Sequence, residues 1–406
     1  MSYSQQLAFQ TREILPKPSK VASSPLLLEF IHKLDVKDPR FDMCWSYGDV
    51  LKEVPKRIGL NAALDASVAA LVAAYEDFVT GSVSTTPTHQ YICAINALRS
   101  SLNTLVVVEP YNIICAIYIL WICQSWIGHT GPGHSSGLVP ILSSISTKKP
   151  DNEFERLMLI TIGATVAAER LIDITIPPDR WTEQILLENE AVADKIREKA
   201  GTLTRRGLMA CVLRLPDLMV YEPTLQHEIQ DKYQDMQERL SATHEKMLDA
   251  GLAVQSDGLT LSSSASNVTE SLQIGSARLH ALYLRLYSIQ ISLQAIMNGI
   301  LQAYEVNNAA LKEDETNIVD SVINLVVTGS AWKPFGAAWI PVCLTSVWAS
   351  STDETQKSRI QEVWRTIWQA HAGHTVEQAA EMLAATLDRL RLEAAKAREA
   401  KLYIDT

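Results

Sequence analysis

The sequence predicts an all-α protein that folds as a single large helical bundle domain. Hydrophobic residues make up 47% of the 406 residues, which is typical of a globular chain with a sizeable core. Apolar residues recur at helical spacing along most of the chain, whereas the alternation expected of a half-buried β-strand is rare. Glycine and proline are sparse, with 17 and 16 residues, so long segments are free of helix breakers.

The distribution of prolines and charges divides the chain into three segments. Residues 1–59 are predicted to form an irregular N-terminal arm with one or two short helices, because five prolines interrupt it: Pro16, Pro18, Pro25, Pro39 and Pro55. Residues 60–375 are predicted to form the helical bundle domain. Residues 376–406 are predicted to form a charged C-terminal helix on the outside of the bundle.

The first helices of the bundle are predicted at residues 62–79 and 88–107, since both segments place apolar side chains on one face with a 3.6-residue period. A fully apolar helix at 111–127 is expected behind them. Its apolar run falls short of the ~20 residues that cross a bilayer and contains Gln124 and Ser125. We therefore expect a buried core helix and no membrane span.

Later helices are predicted at residues 152–172, in a pair that ends near residue 250, and at 276–304. A Trp-rich segment at 328–348 and an amphipathic helix after residue 350 follow. The 276–304 helix carries an apolar stripe that we expect to face the bundle: Leu279, Leu282, Leu286, Ile289, Leu293, Ile296 and Ile300.

The net charge and the positions of the cysteines argue against two classes of protein, nucleic-acid-binding proteins and thiolate zinc proteins. A formal net charge of −10 argues against a broad surface for direct nucleic-acid binding, which needs clustered Lys and Arg. The six cysteines are scattered, and no CxxC occurs, so a thiolate zinc cluster is not expected. Buried, reduced thiols in an intracellular protein are the better interpretation. The first residues lack the apolar core of a secretory signal, and we expect a cytoplasmic protein.

Five segments together resemble the fungal-specific regulatory domain that follows the zinc cluster in many fungal transcription factors. They are the helices at 63–81 and 89–103 (the latter HQYICAINALRSSLN), the segments at 206–219 and 278–301, and the block TGSAWKPFGAAWIPVCLTSVW with the helix after it. The resemblance covers roughly residues 60–368. It implies an all-α regulator without its zinc cluster, acting in the nucleus through a protein partner or a small lipophilic ligand.

The chain is also similar, in size, helical content and lack of a DNA-binding module, to the stand-alone fungal humulene synthases of tropolone-sesquiterpenoid pathways. That resemblance implies a Mg²⁺-dependent sesquiterpene cyclase of fungal secondary metabolism, a lyase acting on farnesyl diphosphate. We take the cyclase as the first hypothesis and the regulator as the second. A third alternative is that the sequence is a piece of a longer transcription factor.

A cyclase of this class needs carboxylates that hold Mg²⁺ against the diphosphate. The set closest to the family's first motif is Asp151, Asn152 and Glu155, which also suits an ordinary helix N-terminus. The set closest to the second motif is Glu354, Ser358 and Glu362, four residues apart, which also suits a solvated helix face.

The remaining cyclase candidates are cations and aromatic residues. The diphosphate is expected to contact Arg278, Arg285 and Lys333, although such side chains more often lie on the surface. The substrate pocket is expected to contain Trp121, Leu282, Leu286, Trp332, Phe335 and Trp339, where ring faces would stabilise a carbocation. The alternative for these six residues is core packing. The sequence contains no HExxH or GxGxxG motif that would point to another enzyme class.

Overall fold

The computed structural model confirms the all-α fold over the residues that it describes: 24–103, 110–128, 150–173, 205–249, 267–305, 308–367 and 375–404, with single positions between 138 and 176. These ranges contain no β-strand. Within them, three short 3-10 helices lie at Asp49–Arg57, Pro223–Leu225 and Ser330–Trp332. The α-helices are α1 (Pro25–Leu34), α2 (Met43–Tyr47), α3 (Ala62–Thr80), α4 (Thr86–Leu102), α5 (Pro110–Ile127), α6 (Glu153–Ile172), α7 (Arg205–Leu218), α8 (Gln226–Asp249), α9 (Asn267–Tyr304), α10 (Ala309–Gly329), α11 (Ile340–Ser350), α12 (Glu354–Ile367) and α13 (Thr375–Ile404).

Helices α3, α4 and α5 pack against one another and form the N-terminal part of the bundle. The side chain of Asn61 caps α3 by accepting from the backbone N–H groups of Ala63 and Leu64. The helix ends at Gly81, whose positive φ of 70° is readily adopted by glycine. Helix α5 is long and apolar enough to cross a membrane, but 61% of it is buried inside the protein. The core helix of a folded protein is also apolar and mostly buried, and a buried core helix is what the sequence predicts for residues 111–127.

The described part of the segment before residue 60 is more ordered than the predicted irregular arm with one or two short helices. Its described part contains α1, α2 and a 3-10 helix, and Phe30, Met43 and Val50 are fully buried in the same core cluster as α3 and α5. The phenolic oxygen of Tyr75 on α3 donates to the carbonyl of Phe41 over 2.9 Å. Apolar side chains between Pro25, Pro39 and Pro55 complete the core of the bundle. The predicted boundary at residue 59 is therefore not a domain boundary in the described structure.

Helix α9 is the centre of the C-terminal part, where it contacts α7, α8, α10, α11 and α13. The predicted apolar stripe is correct for Ile289 to Ile300, which are buried. It is wrong at Leu279 and Leu282, which are 41% and 40% exposed, because the neighbouring helices cover mainly the C-terminal half of α9. In that half, residues 288–301 are buried on all sides, including polar side chains such as Gln290 and Asn298.

The C-terminal helix α13 is not simply an outer helix. One face is charged and exposed, but Leu383, Leu387, Leu390 and Ala394 lie in the core beside α9 and α11. Their spacing of three and four residues is that of an amphipathic helix with one buried face. Helix α13 thus belongs to the bundle.

Candidate functional site

The first predicted metal set lies at the N-terminus of α6, where its members bond to one another. Asn152 is the N-cap residue, and its Oδ1 accepts from the backbone N–H of Glu155 over 3.0 Å. The Glu155 carboxylate accepts in return from the Asn152 amide over 2.8 Å and from the backbone N–H of Asp151 over 2.9 Å. This reciprocal arrangement is a variant of the capping box, in which Asn replaces Ser or Thr and the carboxylate also reaches the N–H of the residue before the cap.

Replacing the cap residue gives a first test of this interpretation. We expect Asn152→Ala to lower the free energy of unfolding by about 1 kcal/mol, with or without Mg²⁺, since the N–H of Glu155 loses its acceptor. Urea denaturation measures the change. Asp151→Ala is the matched control and should change stability by less than about 0.5 kcal/mol, since only its backbone takes part in the cap. A larger, Mg²⁺-dependent effect at Asp151 would contradict the capping role.

The second predicted metal set lies on the exposed face of α12. Glu354, Ser358 and Glu362 are all exposed, while the opposite face buries Ile360 and Trp364. The hydroxyl of Ser358 donates to the carbonyl of Glu354 over 2.8 Å. The Glu354 carboxylate pairs with Lys357 over 3.1 Å. These three side chains therefore lie on a solvated helix face, which was the alternative to a metal site for this spacing.

The structure does not bring the two carboxylate sets together. Helix α6 packs into the N-terminal core through Phe154, whereas α12 packs through Ile360 into a different cluster beside α10 and α11. Among the described residues, no group of three or more His, Cys, Asp or Glu side chains is placed to hold a metal ion. As arranged here, the predicted ligands do not fit a shared Mg²⁺ site.

Two of the three predicted diphosphate contacts, Arg278 and Arg285, bond to backbone carbonyls of the N-terminal segment. Arg278 donates to the carbonyls of Val36 and Lys37 over 3.4 and 3.3 Å and so joins α9 to the segment before α2. Arg285 donates to the carbonyl of Trp45, and its guanidinium lies 5.1 Å from the centre of the Trp339 ring. Partial burial lowers the pKa of Lys333 below its usual value.

The six predicted substrate-pocket residues are distributed among three regions and the surface. Phe335 is fully buried in the N-terminal core, where Trp121 also packs. Trp332 belongs to the cluster around α10 and α11, and Trp339 and Leu286 border the cluster around α8 and α13. Leu282 is partly exposed. The small cavity beside Arg285 and Trp339 measures about 10 Å³, room for about one water molecule. Core packing accounts for most of this set.

A larger cavity lies elsewhere, at the C-terminal end of α9. It has a volume of about 230 Å³, opens to solvent and has residues of α9, α10, α13 and the segment before α12 in its wall. Three cationic side chains line it: Lys312, Arg391 and Arg398. One carboxylate, Glu305, lines it too, together with four small or neutral groups: Gln302, Ala303, Asn308 and Thr352. None of these residues was a sequence-predicted site residue.

Backbone carbonyls hold the two arginines in place. Arg398 donates through Nη1 to the carbonyl of Ala303 over 2.7 Å, and Arg391 donates through Nη2 to the carbonyl of Ser350 over 3.0 Å. Arg391 also pairs with Asp388 over 2.6 Å, and its buried Nε has no hydrogen-bond partner among the described residues. A guanidinium carries five N–H donors. Both side chains therefore keep donors beyond those that fix their positions.

A buried polar network supports the floor of the cavity. The Glu315 carboxylate, 7% exposed, accepts from the backbone N–H of Thr352 over 2.9 Å, from the Gln302 amide over 3.0 Å and from the Ser351 hydroxyl. Gln302 also donates to Asn298 over 2.6 Å. Such networks fix side-chain positions when all members are bonded. Two lining residues, Gln302 and Thr352, are thus held in one arrangement.

The N-terminus of α10 adds to the positive potential of the cavity. Asn308 caps this helix, and its Oδ1 accepts from the backbone N–H groups of Ala310 and Leu311. The first turn of a helix carries a partial positive charge. Lys312 lies in the following turn and is exposed. The cations at this end of the bundle therefore come from different helices and act on the same space.

Comparison with known proteins identifies no relative. No protein-family model, no curated protein and no solved structure matches this chain. The resemblances to the fungal regulatory domain and to the humulene synthases therefore stay predictions from the sequence.

Proposed function

We propose that this chain is a regulatory domain that binds a small anionic metabolite in the cavity between α9, α10 and α13. The observation that carries the proposal is the convergence of Lys312, Arg391 and Arg398 on one cavity. Arginine forks suit carboxylate and phosphate groups, because two parallel N–H donors match two oxygens. The backbone contacts of both arginines pre-organise these donors.

The size of the cavity supports a small ligand. Its 230 Å³ lies below the ~300–1,000 Å³ of pockets that hold drug-sized molecules. Seven of its eight lining residues have polar or charged side chains, although carbon atoms form most of the exposed wall. A small anion with a short apolar stem therefore suits this cavity better than the lipophilic ligand that the resemblance implies. A ligand there would contact α9, α10 and α13, so binding would stabilise the packing of α10 and α13 on α9. That coupling is what a ligand-responsive regulator needs.

Replacing one cation tests the proposal. We expect wild-type protein to bind glutarate, succinate or inorganic phosphate, and Arg398→Gln to weaken that binding by about 10- to 100-fold, because a charge-assisted hydrogen bond is worth about 1.5–3 kcal/mol. Isothermal titration calorimetry measures both affinities. Lys312→Gln should also weaken binding, and since this side chain is exposed, the variant should fold normally.

Arg365→Gln is the matched control, since Arg365 is exposed on α12 and does not line the cavity. Its affinities should equal those of the wild type. No binding of any of the three anions to the wild type would refute the proposal. Equal affinities for wild type, Arg398→Gln and Lys312→Gln would place the binding elsewhere.

The cyclase hypothesis has less support from the geometry. Its two carboxylate sets lie on separate helices, and the face of the Trp339 ring already meets a guanidinium. Its test is independent of the cavity: purified protein is incubated with farnesyl diphosphate and Mg²⁺, and the headspace is analysed for hydrocarbons. A sesquiterpene that disappears with EDTA would establish a cyclase. The regulatory proposal predicts none.

A further inference from the structure

We infer that the ligand of this cavity is an acidic α-amino acid, with two carboxylates and one ammonium group. This inference rests on the proposed function and names the ligand class of the same site. It starts from charges of both signs that line one cavity without pairing with each other. Lys312 and Arg398 form no ion pair in the described part of the chain, and Glu305 forms none there either.

The negative side of the cavity is Glu305, which follows the last residue of α9. Its backbone N–H donates to the carbonyl of Leu301 over 2.8 Å, which fixes its position. Its carboxylate accepts from the amides of Gln226 over 3.3 Å, Gln230, and Asn308 over 2.7 Å. Partial burial opposes ionisation of Glu305, but these hydrogen bonds outweigh it and lower the pKa of the carboxyl. Glu305 therefore carries its negative charge at neutral pH.

The donors around Glu305 are neutral amides, which orient the carboxylate without neutralising it. A carboxylate offers about four lone-pair positions, so it can accept one further donor. An ammonium group supplies that donor together with the opposite charge. A purely anionic ligand would bind to the same cations but more weakly, because Glu305 opposes its charge. The cavity thus favours a ligand with a cationic group on the Glu305 side.

The positive side requires more than one carboxylate. Lys312 and Arg398 lie on different helices, α10 and α13, and each lacks a carboxylate partner within the described residues. The charge of Arg391 is already balanced by its ion pair with Asp388. The Glu315 carboxylate does not line the cavity and already accepts from protein donors, so it does not take part in this charge balance. Two unpaired cations and one unpaired anion match two carboxylates and one ammonium. Glutamate and aspartate have this charge pattern and fit a cavity of 230 Å³.

The test compares ligands that differ only in the ammonium group. Calorimetric titrations of the full chain use L-glutamate against glutarate and L-aspartate against succinate. We expect each amino acid to bind about tenfold tighter or more than its deaminated partner, the difference that one charge-assisted hydrogen bond makes. In Glu305→Gln this preference should vanish, while glutarate binding is retained or strengthened. Glu381→Gln, an exposed position on α13 outside the cavity, should keep the preference.

The outcomes separate this inference from the proposed function. Equal affinity for glutamate and glutarate in the wild type would overturn the amino-acid inference and leave the anion site in place. Absence of binding by all four compounds would overturn both. A preference for glutamate that survives in Glu305→Gln would also overturn the inference, because the ammonium group would then be recognised elsewhere. Circular dichroism confirms that Glu305→Gln is folded before the comparison is made.

Discussion

Phe335→Ala is expected to lower the free energy of unfolding by about 3–5 kcal/mol, the usual cost of removing a fully buried phenylalanine. The side chain is 0% exposed. Its ring centre lies 5.3 Å from that of Phe78, 5.4 Å from that of Trp126 and 5.8 Å from that of Tyr75. These partners belong to α3 and α5. A single side chain from the Trp-rich segment therefore completes the N-terminal core.

The backbone around Phe335 strengthens the same connection. Its N–H donates to the carbonyl of Arg40 over 3.0 Å, and its carbonyl accepts from the Ser46 hydroxyl over 2.6 Å. Next to it, a Cβ at position 336 would lie 2.7 Å from the carbonyl oxygen of Trp332, so only glycine fits this close approach. The segment before residue 60 and the Trp-rich segment thus stabilise each other across the bundle.

The comparison uses urea denaturation followed by circular dichroism, with the midpoint and slope of the transition recorded for each variant. Val342→Ala is the control, since Val342 is 46% exposed on α11 and should cost less than about 0.5 kcal/mol. A loss below about 1 kcal/mol for Phe335→Ala would contradict the packing described here.

Glu315→Ala has the second-largest expected effect, a loss of about 2–4 kcal/mol, because it removes the shared acceptor of three donors at a buried position. The N–H of Thr352, the Gln302 amide and the Ser351 hydroxyl all donate to this carboxylate. Glu315→Gln should cost less, since its Oε1 still accepts. The same denaturation experiment measures both variants.

Glu315 also connects stability with ligand binding. Gln302 and Thr352 line the cavity, so Glu315→Ala should weaken anion binding even though Glu315 does not line it. Glu313→Ala is the control, because Glu313 is exposed on the same helix and should leave stability and binding unchanged. A loss at Glu315 no larger than that at Glu313 would show that the network does not support the fold.

The all-α fold was predictable because apolar periodicity is a local signal. The buried helix α5 and the capped start of α3 both follow from residues that are neighbours in sequence. The exposure of Leu279 was not predictable, since it depends on which helices cover α9. The buried face of α13 follows its apolar spacing, but the helices that it packs against could not be predicted from that spacing. The prolines before residue 60 predict an irregular arm, but around Pro25, Pro39 and Pro55 long-range packing outweighs their local effect.

The candidate site was not visible in the sequence, because its charges lie on elements far apart in the chain. Lys312 and Arg398 are separated by 86 positions, and no short motif joins them. The two predicted metal sets match the metal motifs only in the spacing of their residues. Spacing does not distinguish a ligand set from a capping box, as Asn152 and Glu155 show. The one local signal was Asn308, a recognisable N-cap that placed the start of α10 beside Glu305.

The most direct measurement is the response of the arginine Nε–H signals to ligand, recorded by NMR on protein labelled with ¹⁵N-arginine. Signals of Arg391 and Arg398 are assigned from the Arg391→Lys and Arg398→Gln variants. Binding in the cavity predicts that both signals shift in a saturable manner with glutarate, while the signal of the exposed Arg365 does not. If the Arg391 and Arg398 signals do not change up to about 10 mM glutarate, the anion site is contradicted. That concentration is about tenfold above a dissociation constant of about 1 mM, so even weak binding would be visible.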